Sequence, residues 1–441
     1  MTEHIGVTAG EISQRSNPPL ERVSVDGKFF SCAGARFPFQ GVTYGTFRRR
    51  QDGAFFPERP VLASDMSAIA AAGFTVVRTY TPPPPDVLEE AAAKGLHVFA
   101  GAFFEDWRYL VGDSRGERRE MARRARRTVR ETARALAGNP VVAALVIANE
   151  VPADVVRWIG VDRVAGLLSE LVEIVREEDP ELLVTYGNYP TTEYLYVPEL
   201  DFRTFNVFLE READFRSYLA RLHNLAGDRP VVLGETGLDA GRGEDMQAQT
   251  LDWQLEVARE RGVAGTCVFS WTDEWWVADN RVEGWTFGLT DAQRRPRPAL
   301  DVASRWNRTT VADLKPEWPS MSVVICAHNA EETVEECLDH VCALEYPGLE
   351  VVVVDDGSTD RTASIAERYE RVSLIRIEPG GLSNARNVGT RAATGEIVAF
   401  LDSDAFPPPE WPYLLALGFD SPGVGGVGGG IRRISCAAAP R

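Results

Sequence analysis

Two glutamates stand where the cleavage of a sugar bond would need them. Glu150 follows Asn149 at the end of the apolar run Val141 to Ala148, and Glu235 closes Val231-Val232-Leu233-Gly234. Short continuous apolar runs suit strands buried on both faces, and parallel barrels gather their chemistry at the C-terminal strand ends. Splitting a glycosidic bond takes a protonated carboxyl group at the leaving oxygen and an ionised carboxylate at the anomeric carbon, about 5 Å apart where configuration is retained. A carboxylate after a strand can also simply favour the start of the next helix. A second acidic set lies farther on, with Asp355-Asp356-Gly357-Ser358 and Asp360 after Val351 to Val354, and Asp402-Ser403-Asp404 after Phe400-Leu401. Closely spaced carboxylates at such strand ends offer hard oxygen ligands to Mg2+ or Mn2+, ions that offset the charge of a nucleotide-diphosphate sugar.

The elements that must position these groups are legible as alternation. Eight strand candidates run Gly41 to Tyr44, Thr75 to Tyr80, His97 to Gly101, Val141 to Ala148, Leu183 to Tyr186, Phe202 to Phe208, Val231 to Gly234 and Thr266 to Ser270, with helical stretches between most of them. That order and length predict an α/β fold, a (β/α)8 TIM barrel over residues 20–308 behind a flexible N-terminus, 1–19. Arg115 to Leu136 reads as an outer helix, because Ala122, Ala125, Val129, Ala133 and Leu136 recur at three and four and leave the arginines on the solvated face. Pro82 to Pro85 form a stiff loop after the second strand. Lys315-Pro316-Glu317-Trp318-Pro319 marks a linker, 309–320. Residues 321–441 then alternate as strand Ser322 to Ala327, helix Glu331 to Ala343, strand Glu350 to Val354, helix Ser383 to Ala393 and strand Ile397 to Leu401. This is a Rossmann-like order that stops after about half the length such domains usually need.

Composition narrows the function classes. The 441 residues carry a formal charge of −18, which argues against nucleic acid as a general partner. No apolar run reaches bilayer length, and Met1 to Pro19 lacks the basic-then-apolar order of a secretory signal, so a cytoplasmic protein without a membrane segment is expected. Six cysteines without CxxC spacing suit free thiols. Gly423-Val424-Gly425-Gly426-Val427-Gly428 satisfies GxGxxG, but it follows Ser421-Pro422 rather than a strand, which rules against a dinucleotide site.

The first half resembles clan A glycoside hydrolases, closest to their family 2. Asn149-Glu150 on the fourth strand and Gly234-Glu235 on the seventh carry the resemblance. Phe39-Gln40-Gly41-Val42, Arg78, Trp271 and Phe287-Gly288-Leu289-Thr290-Asp291 before Arg297-Pro298 support it. It implies a retaining glycosidase or transglycosylase without cofactor, acting on an oligo- or polysaccharide of glucan type. Glu150 would be its acid/base, Glu235 its nucleophile, Asn149 the ligand of the sugar 2-hydroxyl and Arg78 the group holding Glu235 ionised. Asn206 and Trp271 would complete the sugar site. Phe208 stands where these families carry a tyrosine bonded to the nucleophile, so that hydrogen bond is expected to be lost. An alternative makes the barrel a non-catalytic sugar-binding module that guides the second domain.

The second half is similar to family 2 glycosyltransferases of the GT-A type, through Ser322 to Asn329, Asp355-Asp356, Ala385-Arg386-Asn387-Val388-Gly389 and Asp402-Ser403-Asp404. The resemblance implies a nucleotide-diphosphate sugar held at Asp355, Asp356, Arg386 and Asn387, and Mg2+ or Mn2+ at Asp402 and Asp404. The acceptor half of such a domain would follow where this sequence ends.

Overall fold

A computed structural model describes residues 20–102, 107, 115–277, 279–419 and 421–429. The N-terminal stretch expected to be flexible lies outside them. So do Glu105 and Asp106, which the sequence places beside the barrel mouth. Two compact units divide the chain, Met1–Arg308 and Thr309–Arg441.

The first unit opens with a small antiparallel sheet that the sequence reading missed: β1 (Val23–Asp26), β2 (Phe29–Cys32) and β3 (Ala35–Arg36). Its short strands are too brief to show a period. Phe30 from this sheet packs within 5.3 Å of Phe39 and 5.1 Å of Phe202, which ties the sheet to the barrel core.

The barrel strands are β4 (Phe39–Thr43), β5 (Val76–Arg78), β6 (His97–Gly101), β7 (Val142–Asn149), β8 (Val184–Asn188), β9 (Arg203–Asn206), β10 (Val231–Thr236) and β11 (Gly265–Val268). All pair in parallel, and β11 closes onto β4, giving the expected TIM barrel. Closure depends on Gly41, since a Cβ there would sit 2.5 Å from Cys267 Sγ. Between β8 and β9 there is no α-helix; a 3-10 turn, Pro190–Thr192, takes its place. After β11 comes a hairpin of β12 (Trp276–Val277) and β13 (Asn280–Arg281).

Helix Arg115–Leu136 buries Ala125, Val129, Ala133 and Leu136, as its spacing predicts, and Met121 rather than Ala122, which is half-buried. Arg126, Arg130 and Arg134 turn to Glu170, Glu177 and Glu178 of helix Val161–Glu178. Exposed pairs of this kind contribute little, so the apolar stripe holds the helix. The proline run does not remain loop throughout: Pro85 starts helix Pro85–Ala93, where a missing N–H costs nothing.

In the second unit β14 (Met321–Ala327), β15 (Leu349–Asp356), β16 (Val372–Ile377) and β17 (Ile397–Asp402) form a parallel sheet in the order β16-β15-β14-β17. Helix Val334–Cys342 packs on the face bearing Val323, Ile325, Val351 and Val353, and helix Leu382–Ala392 on the face bearing Val324, Val352 and Val354. β16 escaped the sequence reading because it is an edge strand, with Ser373 and Arg376 exposed and no continuous apolar run. Trp318 anchors the proline-rich stretch on this unit: its indole donates to Ala312 O at 2.9 Å and its ring meets Tyr413 at 5.0 Å. The Gly-rich 423–428 follows no strand and opens no helix among the described residues. No described helix is long and apolar enough to cross a membrane.

Candidate active sites

Arg78, the last residue of β5, is buried at the barrel centre with 1% of its side chain exposed. Such a charge must be paired and hydrogen-bonded to be tolerated. It donates to Asn149 Oδ1 at 2.8 Å and to Asn206 Oδ1 at 3.1 Å, and it pairs with Glu235 Oε1 at 3.1 Å. Two glycines make the room. A Cβ on Gly187 would fall 2.4 Å from Asn149 Oδ1, and one on Gly234 would fall 2.7 Å from Arg78 Nη1 and 2.8 Å from Asn206 Oδ1. The glycine before Glu235 is thus a space requirement.

Glu235 is buried, and its Oε1 also accepts from Tyr80 Oη at 2.8 Å. Burial pushes its carboxyl group up to about 7; Arg78 pulls it down, Glu150 raises it, and Tyr80 and Asn206 lower it. Arg78 thus favours the ionised form, in the direction the resemblance implies, while burial works against it. Phe208, 38% exposed, gives Glu235 no hydrogen bond, as expected, but Tyr80 supplies one from just beyond the second strand. Tyr80 escaped the sequence reading because its hydroxyl is informative only once the barrel brings β5 opposite Glu235.

Glu150 follows β7 in a left-handed conformation, φ 43°, which a non-glycine residue adopts only when its surroundings hold it. Here its N–H donates to Gly187 O at 2.7 Å and its Oε1 accepts from Asn206 Nδ2 at 2.8 Å. Neither glutamate starts a helix. Helix Ala153–Ile159 begins after Pro152, and the helix following Glu235 begins only at Glu244. Arg78, Asn149, Glu150, Asn206 and Glu235, singled out on four different strands, therefore meet in one network.

The aromatics divide by environment. Trp271 is 2% exposed, so its ring is packed rather than offered to a ligand, and its Nε1 has no partner among the described residues. Tyr80, Phe269, Trp275, Trp285, Phe287 and Phe208 instead form one run of ring contacts, with Trp275 and Trp285 stacked at 5.4 Å. Asp273 and Glu274, which follow β11, are engaged by arginines. Arg297 grips Asp273 through two bonds of 2.8 and 2.6 Å, and Arg294 pairs with Glu274.

In the second unit the acidic residues sit at the C-terminal ends of β15 and β17, on either side of β14. The strand order reverses between β14 and β17, where open sheets of this type bind ligands. Asp356 has a structural task there: its two oxygens accept the N–H groups of Gly380 at 2.7 Å and Gly381 at 2.8 Å, which fixes the turn opening helix Leu382–Ala392. Asp355 likewise accepts from Ser358 N at 3.2 Å. Asn329, at φ 50°, laces the neighbouring loop by accepting from Thr359 N at 2.9 Å and donating its own N–H to Ser358 Oγ at 2.9 Å. Asp402 and Asp404 are exposed, with Asp402 paired to Arg386 at 3.3 Å; Asn387 is exposed too. No group of three metal-ligating side chains occurs among the described residues. Two exposed carboxylates nevertheless suit an ion such as Mg2+, which completes its shell with substrate phosphate and water.

Residues 322–440 match the family model Glycosyl transferase family 2. Glycosyltransferase AglE of Haloferax volcanii is 37% identical over 120 residues, 26% of this chain and 40% of that protein. The uncharacterized glycosyltransferase EpsJ of Bacillus subtilis is 37% identical over 92 residues, 20% of this chain and 27% of that one. The chain thus spans well under half the length of these relatives. Among solved structures, a β-glucuronidase of Ruminococcus gnavus aligns with a TM-score of 0.55 at 16% identity, covering 66% of this chain and 54% of its own. A GH2 β-galacturonidase from Eisenbergiella tayi, bound to galacturonate, gives 0.52 at 17%, covering 66% and 55%.

Proposed function

We infer that this chain, a TIM barrel with the fold of family 2 glycosidases joined to a family 2 glycosyltransferase domain, carries two carbohydrate activities. The barrel is a retaining glycosidase or transglycosylase acting on a glucan-like oligo- or polysaccharide. One observation carries this reading: Glu235 Oε1 is held by Arg78 and Tyr80, while Glu150 is tied to the same centre through Asn206. Glu235 attacks the anomeric carbon as the bond to the leaving oxygen breaks, and Glu150 gives that oxygen its proton. Water or an acceptor hydroxyl then attacks the same carbon, its proton passes to Glu150, and the Glu235 carboxylate departs. Asn149 and Asn206, both held by Arg78, are in place to read the sugar hydroxyl beside the reacting carbon.

In the second domain a nucleotide-diphosphate sugar occupies the crevice at β14 and β17. Arg386 and Asn387 border it, Asp355 and Asp356 shape its floor, and Asp402 and Asp404 hold the divalent cation that offsets the diphosphate charge. Incubation with 2-deoxy-2-fluoro glycosides of gluco, galacto and glucurono configuration, followed by intact mass and peptide mapping, tests the barrel. An adduct on Glu235 is expected; its absence across all three sugars would sink this reading.

A further inference from the structure

We propose that Tyr80 is a positioning residue for Glu235: together with Arg78 it fixes Oε1 and so makes Oε2 the oxygen that attacks. The inference rests on the reading of Glu235 as nucleophile. Its geometry stands on its own.

Arg78 ends β5 and Tyr80 follows it by two residues, and both side chains reach Glu235. Both reach one atom, Arg78 at 3.1 Å and Tyr80 at 2.8 Å from Oε1. A hydrogen bond to an ionised oxygen is about twice as strong as one between neutral groups, so the Tyr80 hydroxyl, beside the paired charge of Arg78, stabilises negative charge on Oε1. Neither engages Oε2 in this way. The phenol stays a donor throughout, because burial and then Glu235 push its own ionisation well above the usual tyrosine range.

The ring is held in place from three directions. Trp275 meets it at 5.2 Å and 76°, Phe269 at 6.4 Å and 87°, and the Arg78 guanidinium carbon lies 5.1 Å from its centroid. Its backbone is fitted against Gly101 of the next strand, where a Cβ would fall 2.6 Å from the Tyr80 carbonyl carbon and oxygen. The end of β5 and the turn after it thus supply both the charge and the hydroxyl that hold Glu235.

The test reads the Glu235 carboxyl directly. Infrared titration of the protein, with Glu235→Gln subtracted to isolate the band, gives the ionisation midpoint of this one group. Tyr80→Phe is expected to raise that midpoint by about one pH unit, through loss of a bond to the charged form. 3-Fluorotyrosine at position 80 keeps the side chain and sharpens the donor, so it should lower the midpoint. In both proteins the acid limb of 2,4-dinitrophenyl glycoside hydrolysis should move with the midpoint. An unmoved midpoint in the fluorotyrosine protein overturns the proposal, whether or not Tyr80→Phe folds. Movement without any fluorosugar adduct on the wild-type chain would leave Tyr80 in its place and refute the glycosidase reading; an adduct without movement would do the reverse.

Discussion

Asn206 donates its amide to Glu150 Oε1 at 2.8 Å while its own oxygen accepts from Arg78 at 3.1 Å. One side chain on β9 therefore joins the carboxyl groups that end β7 and β10. Asn206→Ala should release Glu150 without removing it. Proton donation matters most for poor leaving groups, so the variant should lose roughly 10- to 100-fold on alkyl glycosides and much less on dinitrophenyl glycosides, a part of the roughly 10²–10⁴-fold that general acid catalysis supplies. A plot of kcat/KM against leaving-group acidity checks this, the expected sign being a steeper slope.

Glu235 should make stability fall with rising pH. Its carboxyl ionises at about 7 in the folded chain against an ordinary 4.5, so the folded state keeps a proton that the unfolded state has released. The contribution is complete below pH 4.5 and lost as the pH climbs through 7, a span of about 3 kcal/mol. Glu235→Gln lacks this dependence. Urea unfolding at pH 5 and pH 8 should show the variant gaining on the parent by up to that amount at the higher pH.

Gly234→Ala should displace the guanidinium, because its Cβ would come within 2.7 Å of Arg78 Nη1 and 2.5 Å of Thr204 Cγ2. Overpacking of this kind costs about 1–3 kcal/mol. A lower melting temperature together with loss of fluorosugar trapping is the expected pair of results.

Asp356 and Asp404 should separate stability from binding in the second unit. Asp356→Ala strands the amides of Gly380 and Gly381 and should cost about 1–3 kcal/mol in urea unfolding. Asp404→Asn, at an exposed position, should leave stability unchanged yet weaken Mn2+-dependent binding of uridine diphosphate about tenfold by calorimetry, the scale of one lost charged ligand.

The barrel was legible because its buried strands alternate with helical stretches and several of them spell nearly uninterrupted apolar runs, as Val142–Asn149 does. Glu150, Glu235 and Arg78 were legible because they end such runs. Tyr80 was not, since nothing in its neighbours tells that a tyrosine between two threonines will meet Glu235 across the barrel. Nor was the burial of Trp271, because an aromatic after a strand reads alike whether it fills space or faces a ligand. β16 and the N-terminal hairpins were hidden by their mixed polarity and shortness.

The pairing of β11 with β4 also sets a timetable for synthesis. The first strand waits for a partner encoded roughly 220 residues later, which at translation speeds of about 5–20 residues per second is on the order of 10–45 s. Through that interval Phe39 and Val42, fully covered in the finished barrel, have no closing neighbour. Sequence changes that leave the completed fold untouched can therefore still lower yield, by lengthening the time an unsealed sheet spends emerging from the ribosome.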